Sequence, residues 1–148
     1  MPAEEASSIR HIHGSCHCGN IRFVFRRPET GDGIAVRACG CTFCLKHRGV
    51  WTSHPQGRVE LAYDDSERVQ RYRFGTATAD FYICRECGVA PIVTSDIDGS
   101  SYAVVNVNCF DDVDRAELVE TATDFDGEAT DDRLARRQRN WSPLVMTA

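Results

Sequence analysis

From Asn20 to Phe25 the apolar residues Ile21, Phe23 and Phe25 alternate with Asn20, Arg22 and Val24. A period of two over such a stretch predicts a strand with one face buried. Shorter runs of strand-forming residues follow at Ile34 to Ala38, Val50 to His54, Val59 to Ala62, Val69 to Phe74 and Asp80 to Ile83. Asp98-Gly99 is a turn signal between two apolar runs, so Pro91 to Ser95 and Tyr102 to Asn108 are expected to form a hairpin-like pair. The second run places Ala103, Val105, Val107 and Cys109 on one face, with Tyr102, Val104, Asn106 and Asn108 on the other.

Helical signals are few. Leu45 to Arg48 reads as one turn stopped by Gly49, a capped turn is expected beyond Asp111 at Asp112 or Asp114, and Asp131 to Asn140 reads as a short helix. The class is therefore mainly β, with short strands and with helical turns near the C-terminus. Residues 1–13 lack periodicity and read as a flexible lead-in, residues 14–127 as the domain, and residues 128–148 as a C-terminal extension with helical character.

At 148 residues the chain suits one domain with a real core. No stretch approaches the ~18 apolar residues of a membrane helix. The formal charge of −5 disfavours a nucleic-acid partner, because affinity for phosphate backbones comes from Lys and Arg. Positive charge is dense at Arg133, Arg136, Arg137 and Arg139, but acidic residues crowd the stretch before it, and the expectation is a solvated, self-neutralising tail.

The cysteines change the picture most. All eight occur as Cys16-x-Cys18, Cys39-x-Cys41-x-x-Cys44, Cys84-x-x-Cys87 and Cys109. An even count suits a disulfide framework, yet MPAEEASSIRHIHG reads as no secretory signal, and a cytoplasmic chain with reduced thiols is expected. Cysteines two or three residues apart reach disulfide geometry poorly, whereas that spacing wraps a turn around one zinc ion with ligands at ~2.3 Å.

Spacing alone leaves the partition open. Cys41-x-x-Cys44 with Cys84-x-x-Cys87 would make an ordinary zinc ribbon. Cys18 and Cys87 are each followed by glycine, however, which marks them as matched knuckles where the backbone takes positive φ. On that basis Cys16, Cys18, Cys84 and Cys87 form a closed structural set, and Cys39, Cys41 and Cys44 form a three-ligand set with an open position, as catalytic zinc is held. Cys109 is either a small buried hydrophobe or a fourth ligand or active-site thiol, and His47 is another way to close the second site.

The order Gly14-Ser15-Cys16-His17-Cys18-Gly19, Cys39-x-Cys41-x-x-Cys44, Tyr72-Arg73-Phe74-Gly75, Cys84-Arg85-x-Cys87-Gly88, Asn106-x-Asn108 and Phe125-Asp126-Gly127 resembles the glutathione-dependent formaldehyde-activating family, which includes centromere-protein-V-like proteins. The resemblance implies a β-tent of several small antiparallel sheets stapled by zinc, with two Zn²⁺ per chain in the partition just given. It also implies a carbon–sulfur lyase-like activity resembling S-(hydroxymethyl)glutathione synthase, joining a glutathione-like thiol to a small aldehyde at the Cys39, Cys41 and Cys44 zinc. The alternative is a non-catalytic zinc-stapled binding module with a protein partner. Lys46, Arg48 and Arg85 are the cations nearest the clusters in sequence, and surface positions suit them equally.

Overall fold

The structure is a computed structural model that describes residues 8 to 147. β1 (Ile9–Ser15) and β2 (Ile21–Pro28) pair antiparallel about the turn that carries Cys16 and Cys18. β3 (Ile34–Cys39) leads into helix α1 (Thr42–His47), and the short β4 (Val50–Thr52) returns antiparallel to β3. β5 (Arg58–Tyr63) pairs with β2. β6 (Val69–Tyr72), β7 (Asp80–Cys84), β8 (Ile92–Ile97) and β9 (Ser100–Asn106) form an antiparallel run. β10 (Leu118–Thr123), helix α2 (Thr130–Asn140) and β11 (Ser142–Met146) complete the order.

The expected hairpin is present, with Asp98 and Gly99 both in the left-handed region that its tight turn requires. Asp114 caps a single turn over Arg115–Glu117 through its carboxylate, as the composition beyond Asp111 suggests. Ladder hydrogen bonds join the strands into one open array, ordered β1-β2-β5-β11-β9-β4-β3-β10, with β6 and β7 joined to it through β8. Most pairings are antiparallel. Two are parallel, β10 on β3 and β11 on β5.

Three elements depart from the sequence expectations. Of the lead-in expected over residues 1–13, residues 1–7 lie outside the described residues, and Ile9–Ser15 is a strand whose single buried aliphatic side chain, Ile12, gives a weak periodic signal. β10 is an edge strand with a mostly exposed surface, so burial does not pattern it. The segment 128–148 is no appendage: Trp141 and Ser142 are buried, and β11 sits between β5 and β9 inside the array. A shorter correction applies at α1, where Arg48, not Gly49, takes the left-handed cap. Gly49 is needed for space instead, because a Cβ there would lie 2.8 Å from Trp51 Nε1.

The central strands bury both faces. Tyr82, Ile92, Ala103 and Val105 face a core that contains Ile21, Phe23, Phe25, Cys16 and Cys84. Phe81, Val93 and Val104 face a second core with Cys44, Trp51 and Trp141. Period-two alternation thus sends successive residues of β7, β8 and β9 to opposite sides, and each side carries one cysteine cluster.

Candidate metal centres

The first cluster is assembled from two knuckles of similar build. Gly19 has φ 88° and donates its N–H to the Cys16 carbonyl at 3.1 Å, while Gly88 has φ 79° and donates to the Cys84 carbonyl at 2.8 Å. These are the positions where a side chain would strain the turn, which is why glycine follows Cys18 and Cys87. The four sulfurs of Cys16, Cys18, Cys84 and Cys87 all lie within 4.8 Å of one another. Cys16 Sγ is 3.8 Å from Cys18 Sγ, and Cys18 Sγ is 3.5 Å from Cys84 Sγ. A tetrahedron of thiolates at ~2.3 Å from zinc has edges of about 3.8 Å, so the donor set fits that ion without rearrangement of the backbone.

Electrostatics agree with the geometry. Burial pushes the Cys87 thiol up, but backbone N–H groups of Val89 and Cys18 and the thiols of Cys84 and Cys16 outweigh it and pull Cys87 down to about 6. Ile21 N–H also points at Cys16 Sγ, at 3.3 Å. These donors favour a sulfur anion at Cys87, and a divalent cation could take the place of the protons that the thiols share.

The second cluster lies on the other side of the central strands. β3 ends at Cys39, and alternation along it turns Arg37 and Cys39 away from the core side occupied by Ile34 and Val36. Cys41 is the N-cap of α1 and accepts the Cys44 N–H at 3.4 Å, which brings both thiols to the first turn of the helix. Gly40 N–H is fastened to the Thr123 carbonyl at 2.7 Å, so β10 fixes the loop from behind. Cys39, Cys41 and Cys44 have their sulfurs within 4.8 Å of one another. The Cys44 thiol donates to Cys39 and, with the Cys41 backbone N–H, draws Cys39 down to about 5 against its burial. Proton sharing with Cys39 and burial push Cys44 up.

Trp51 donates its indole N–H to Cys44 Sγ at 3.3 Å. This partner was not legible in the spacing, because Trp51 reaches the cluster from β4 across the sheet. Groups that donate to metal-binding thiolates tune affinity, typically 10- to 100-fold. Trp51→Phe is therefore expected to weaken metal at the second site by about that factor, with the first site unchanged. Competition with a chromophoric chelator, read as two release phases, checks it; equal weakening of both phases would assign Trp51 to general stability.

Cys39, Cys41 and Cys44 open into a cleft of about 670 Å³ lined also by Trp51, Phe74, Phe81, Phe125 and Trp141. The four cysteines of the first cluster are not among the residues that line this cleft, and a smaller recess of about 280 Å³ adjoins Cys16. Cys109 borders that recess, not the cleft. It is 6% exposed, burial pushes its thiol up to about 12, and its sulfur is not among the three of the open cluster. His47 stacks on Phe43 with ring centroids 4.3 Å apart and does not join the three thiols. His17 is exposed. All eight cysteines are free.

The remaining motif residues act as fasteners. Asn106 donates to the Ala90 carbonyl at 3.1 Å, beside the second knuckle, and Asn108 donates to the Arg48 carbonyl at 3.0 Å, beside α1. Together they tie the end of β9 to the loops that carry both clusters. Arg73 pairs with Asp80, while Phe74, Gly75, Phe125, Asp126 and Gly127 line the cleft. Lys46, Arg48 and Arg85 are exposed and lie outside the cleft lining. The cations that do line it are Arg37, Arg133, Arg136 and Arg137. The solvated tail expected around the last three is corrected: α2 packs over β8, and Arg137 is its one buried side chain.

The scaffold is mainly β, with a four-thiol cluster on one side and a three-thiol cluster in a cleft on the other, two unequal groups that could each hold a metal ion. The model of the glutathione-dependent formaldehyde-activating enzyme family matches residues 11–126, and the chain belongs to that family. Among solved structures, a crystal structure of a Rhodobacter sphaeroides protein resembles it at 22% identity, with 74% of this chain and 99% of that chain covered and a TM-score of 0.50. At that identity the likeness bears on the fold alone. Among the described residues, no helix is long and apolar enough to cross a membrane.

Proposed function

We propose that this chain is a zinc-dependent carbon–sulfur lyase that joins a small aldehyde to a glutathione-like thiol, with Cys16, Cys18, Cys84 and Cys87 holding a structural zinc and Cys39, Cys41 and Cys44 holding the reacting one. The observation that carries it is the contrast between the clusters. Four thiols can complete a tetrahedral shell and do not line the cleft, whereas three thiols leave such a shell one ligand short and do line it, in a volume of about 670 Å³. Family membership supports glutathione and formaldehyde as the reactants.

In the reaction a C–S bond forms as the C=O π bond breaks, and the proton leaves sulfur and ends on the new hydroxyl oxygen. A zinc ion at the three thiols supplies Lewis acidity toward an oxygen, or lowers the pKa of a bound thiol. Cys39, Cys41 and Cys44 fix the position of that charge, and the Trp51 N–H holds Cys44 in its orientation. Trp51, Phe74, Phe81 and Trp141 keep the floor of the cleft apolar, where charge interactions are strong. The eight reduced thiols suit a cytoplasmic protein.

Cobalt substitution tests the reading apart from turnover. Addition of glutathione is expected to change the absorption of cobalt at the three-thiol site while cobalt at the four-thiol site stays unchanged. Exchange spectroscopy on formaldehyde and glutathione, with the uncatalysed addition subtracted, is expected to show acceleration by the zinc protein. A cobalt spectrum indifferent to thiols, together with no acceleration, would leave the non-catalytic binding module with a protein partner as the better account.

A further inference from the structure

The cleft lining carries four arginines, three carboxylates and the Cys39 thiol that is drawn down to about 5, but these charges are unevenly paired. Arg133, Arg136 and Arg137 come from one face of α2, at spacings of three and four residues, and Arg37 comes from β3. They share one half-buried carboxylate: Glu128 pairs with Arg136 at 3.0 Å and lies 4.0 Å from Arg133 Nε. Asp124 and Asp126 also line the cleft but are exposed to water. Arg136 is further occupied by the Phe125 ring, 3.6 Å beneath its guanidinium.

Arg137 is the outlier. It is 7% exposed, and its partners are all neutral: Nη1 donates to Thr78 Oγ1 at 2.9 Å, to Ser95 Oγ at 3.2 Å and to the Thr78 carbonyl at 3.3 Å. Its Nε is buried without a hydrogen-bond partner, and so is the Nε of Arg133 one turn earlier. Arg37 likewise has a hydroxyl partner, Ser53 Oγ at 3.2 Å, and no carboxylate within ion-pair distance among the described residues. A buried guanidinium without a counter-charge is costly, and burial, aided by Arg133 and Arg136, pushes Arg137 down to about 10. A bound anion removes that cost.

Resting on the function proposed above, we propose that α2 makes this chain selective for anionic thiols: a carboxylate of the thiol is seated against Arg137 and Arg133, with its sulfur toward Cys39, Cys41 and Cys44. The helix lies beyond residues 11–126, which the family model matches, so this preference belongs to the chain's own C-terminal segment. Guanidinium geometry favours a carboxylate, which it meets with two parallel donors.

The test compares 3-mercaptopropionate with neutral 2-mercaptoethanol on the cobalt-substituted protein, and adds S-methylglutathione, which has carboxylates but no free thiol, by titration calorimetry on the zinc protein. Loss of a charge-assisted hydrogen bond is expected to weaken the two anionic probes about 10- to 100-fold in Arg137→Gln, with 2-mercaptoethanol unaffected. Arg137→Lys should recover part of the loss. Arg133→Gln serves as the second variant should Arg137→Gln melt early, since its side chain donates to the Phe125 and Glu128 carbonyls beside it and its ion pair with Glu128 is long, at 4.0 Å. Equal affinity of wild type and variants for S-methylglutathione, or equal weakening of neutral and anionic thiols, overturns the proposal. If S-methylglutathione binding falls in the variants while no thiol perturbs the cobalt spectrum, the anion site stands and the thiol–aldehyde chemistry is what fails.

Discussion

Cys84→Ser is expected to yield a chain that does not fold stably at 25 °C and carries less than one zinc per molecule. Cys84 is 1% exposed at the end of β7, inside the first core. Its sulfur lies 3.5 Å from Cys18 Sγ, and so joins the β1–β2 corner to the middle of the chain, 66 residues away in sequence. A structural zinc contributes about 10 to 16 kcal/mol to folding, while domains of this size have net stabilities of about 5 to 15 kcal/mol. Losing a good part of the first exhausts the second. Serine also leaves a hydroxyl in a site built for a sulfur anion, with no donor geometry suited to it. Circular dichroism melts with elemental zinc analysis decide the matter. A melting temperature near that of wild type, with one zinc lost, would show that the four-cysteine cluster is not the staple.

Cys41→Ser is expected to behave in the opposite way. The protein should fold, lose one zinc per chain, and lose activity by at least about 10³-fold, the scale of a Lewis-acid contribution of several kcal/mol. The fold survives because serine is among the best N-caps, and its hydroxyl can accept the Cys44 N–H that Cys41 Sγ accepts at 3.4 Å. The floor of the cleft stays in place, since Gly40 and Trp51 are held by β10 and β4 independently of the ion. Zinc content, a thermal melt and the exchange assay on one preparation give the readout. Should Cys41→Ser unfold as badly as Cys84→Ser, the two clusters are equivalent staples and the catalytic assignment fails.

The pair of variants also marks how far local sequence reaches. Both clusters were legible because the aim of neighbouring thiols is set locally, by spacing alone at Cys39, Cys41 and Cys44, and by spacing with a positive-φ glycine after Cys18 and after Cys87. Strands with one buried face, such as β2, were legible for the same reason. β1, β10 and β11 were less so. β10 and β11 pair with strands remote in sequence, in the parallel contacts of β10 with β3 and of β11 with β5, and periodicity carries no trace of a partner; β1 pairs with its neighbour β2 but buries only one aliphatic side chain, Ile12.

The arginines of α2 show the limit most clearly. In sequence they read as a solvated tail, because Asp131 and Asp132 and the acidic stretch before them balance the charge on paper. Folding separates those charges: Asp131 and Asp132 are exposed on the first turn, while Arg137 turns inward against Thr78 and Ser95. Cys109, which reads in sequence as either a buried hydrophobe or a ligand, lies in the core beside Cys16.

By itself, the sequence marked the mainly β class and two groups of thiols, four and three, that could hold metal ions, because strand patterning, short cysteine spacings and the glycines after Cys18 and Cys87 are local features. Only the tertiary structure decided that the two clusters sit on opposite faces of β7, β8 and β9, that one of them opens into a cleft, and that the C-terminal helix supplies the cations there. Those outcomes depend on which distant strands pair and on which charges lose contact with water, and both are settled only when the whole chain packs.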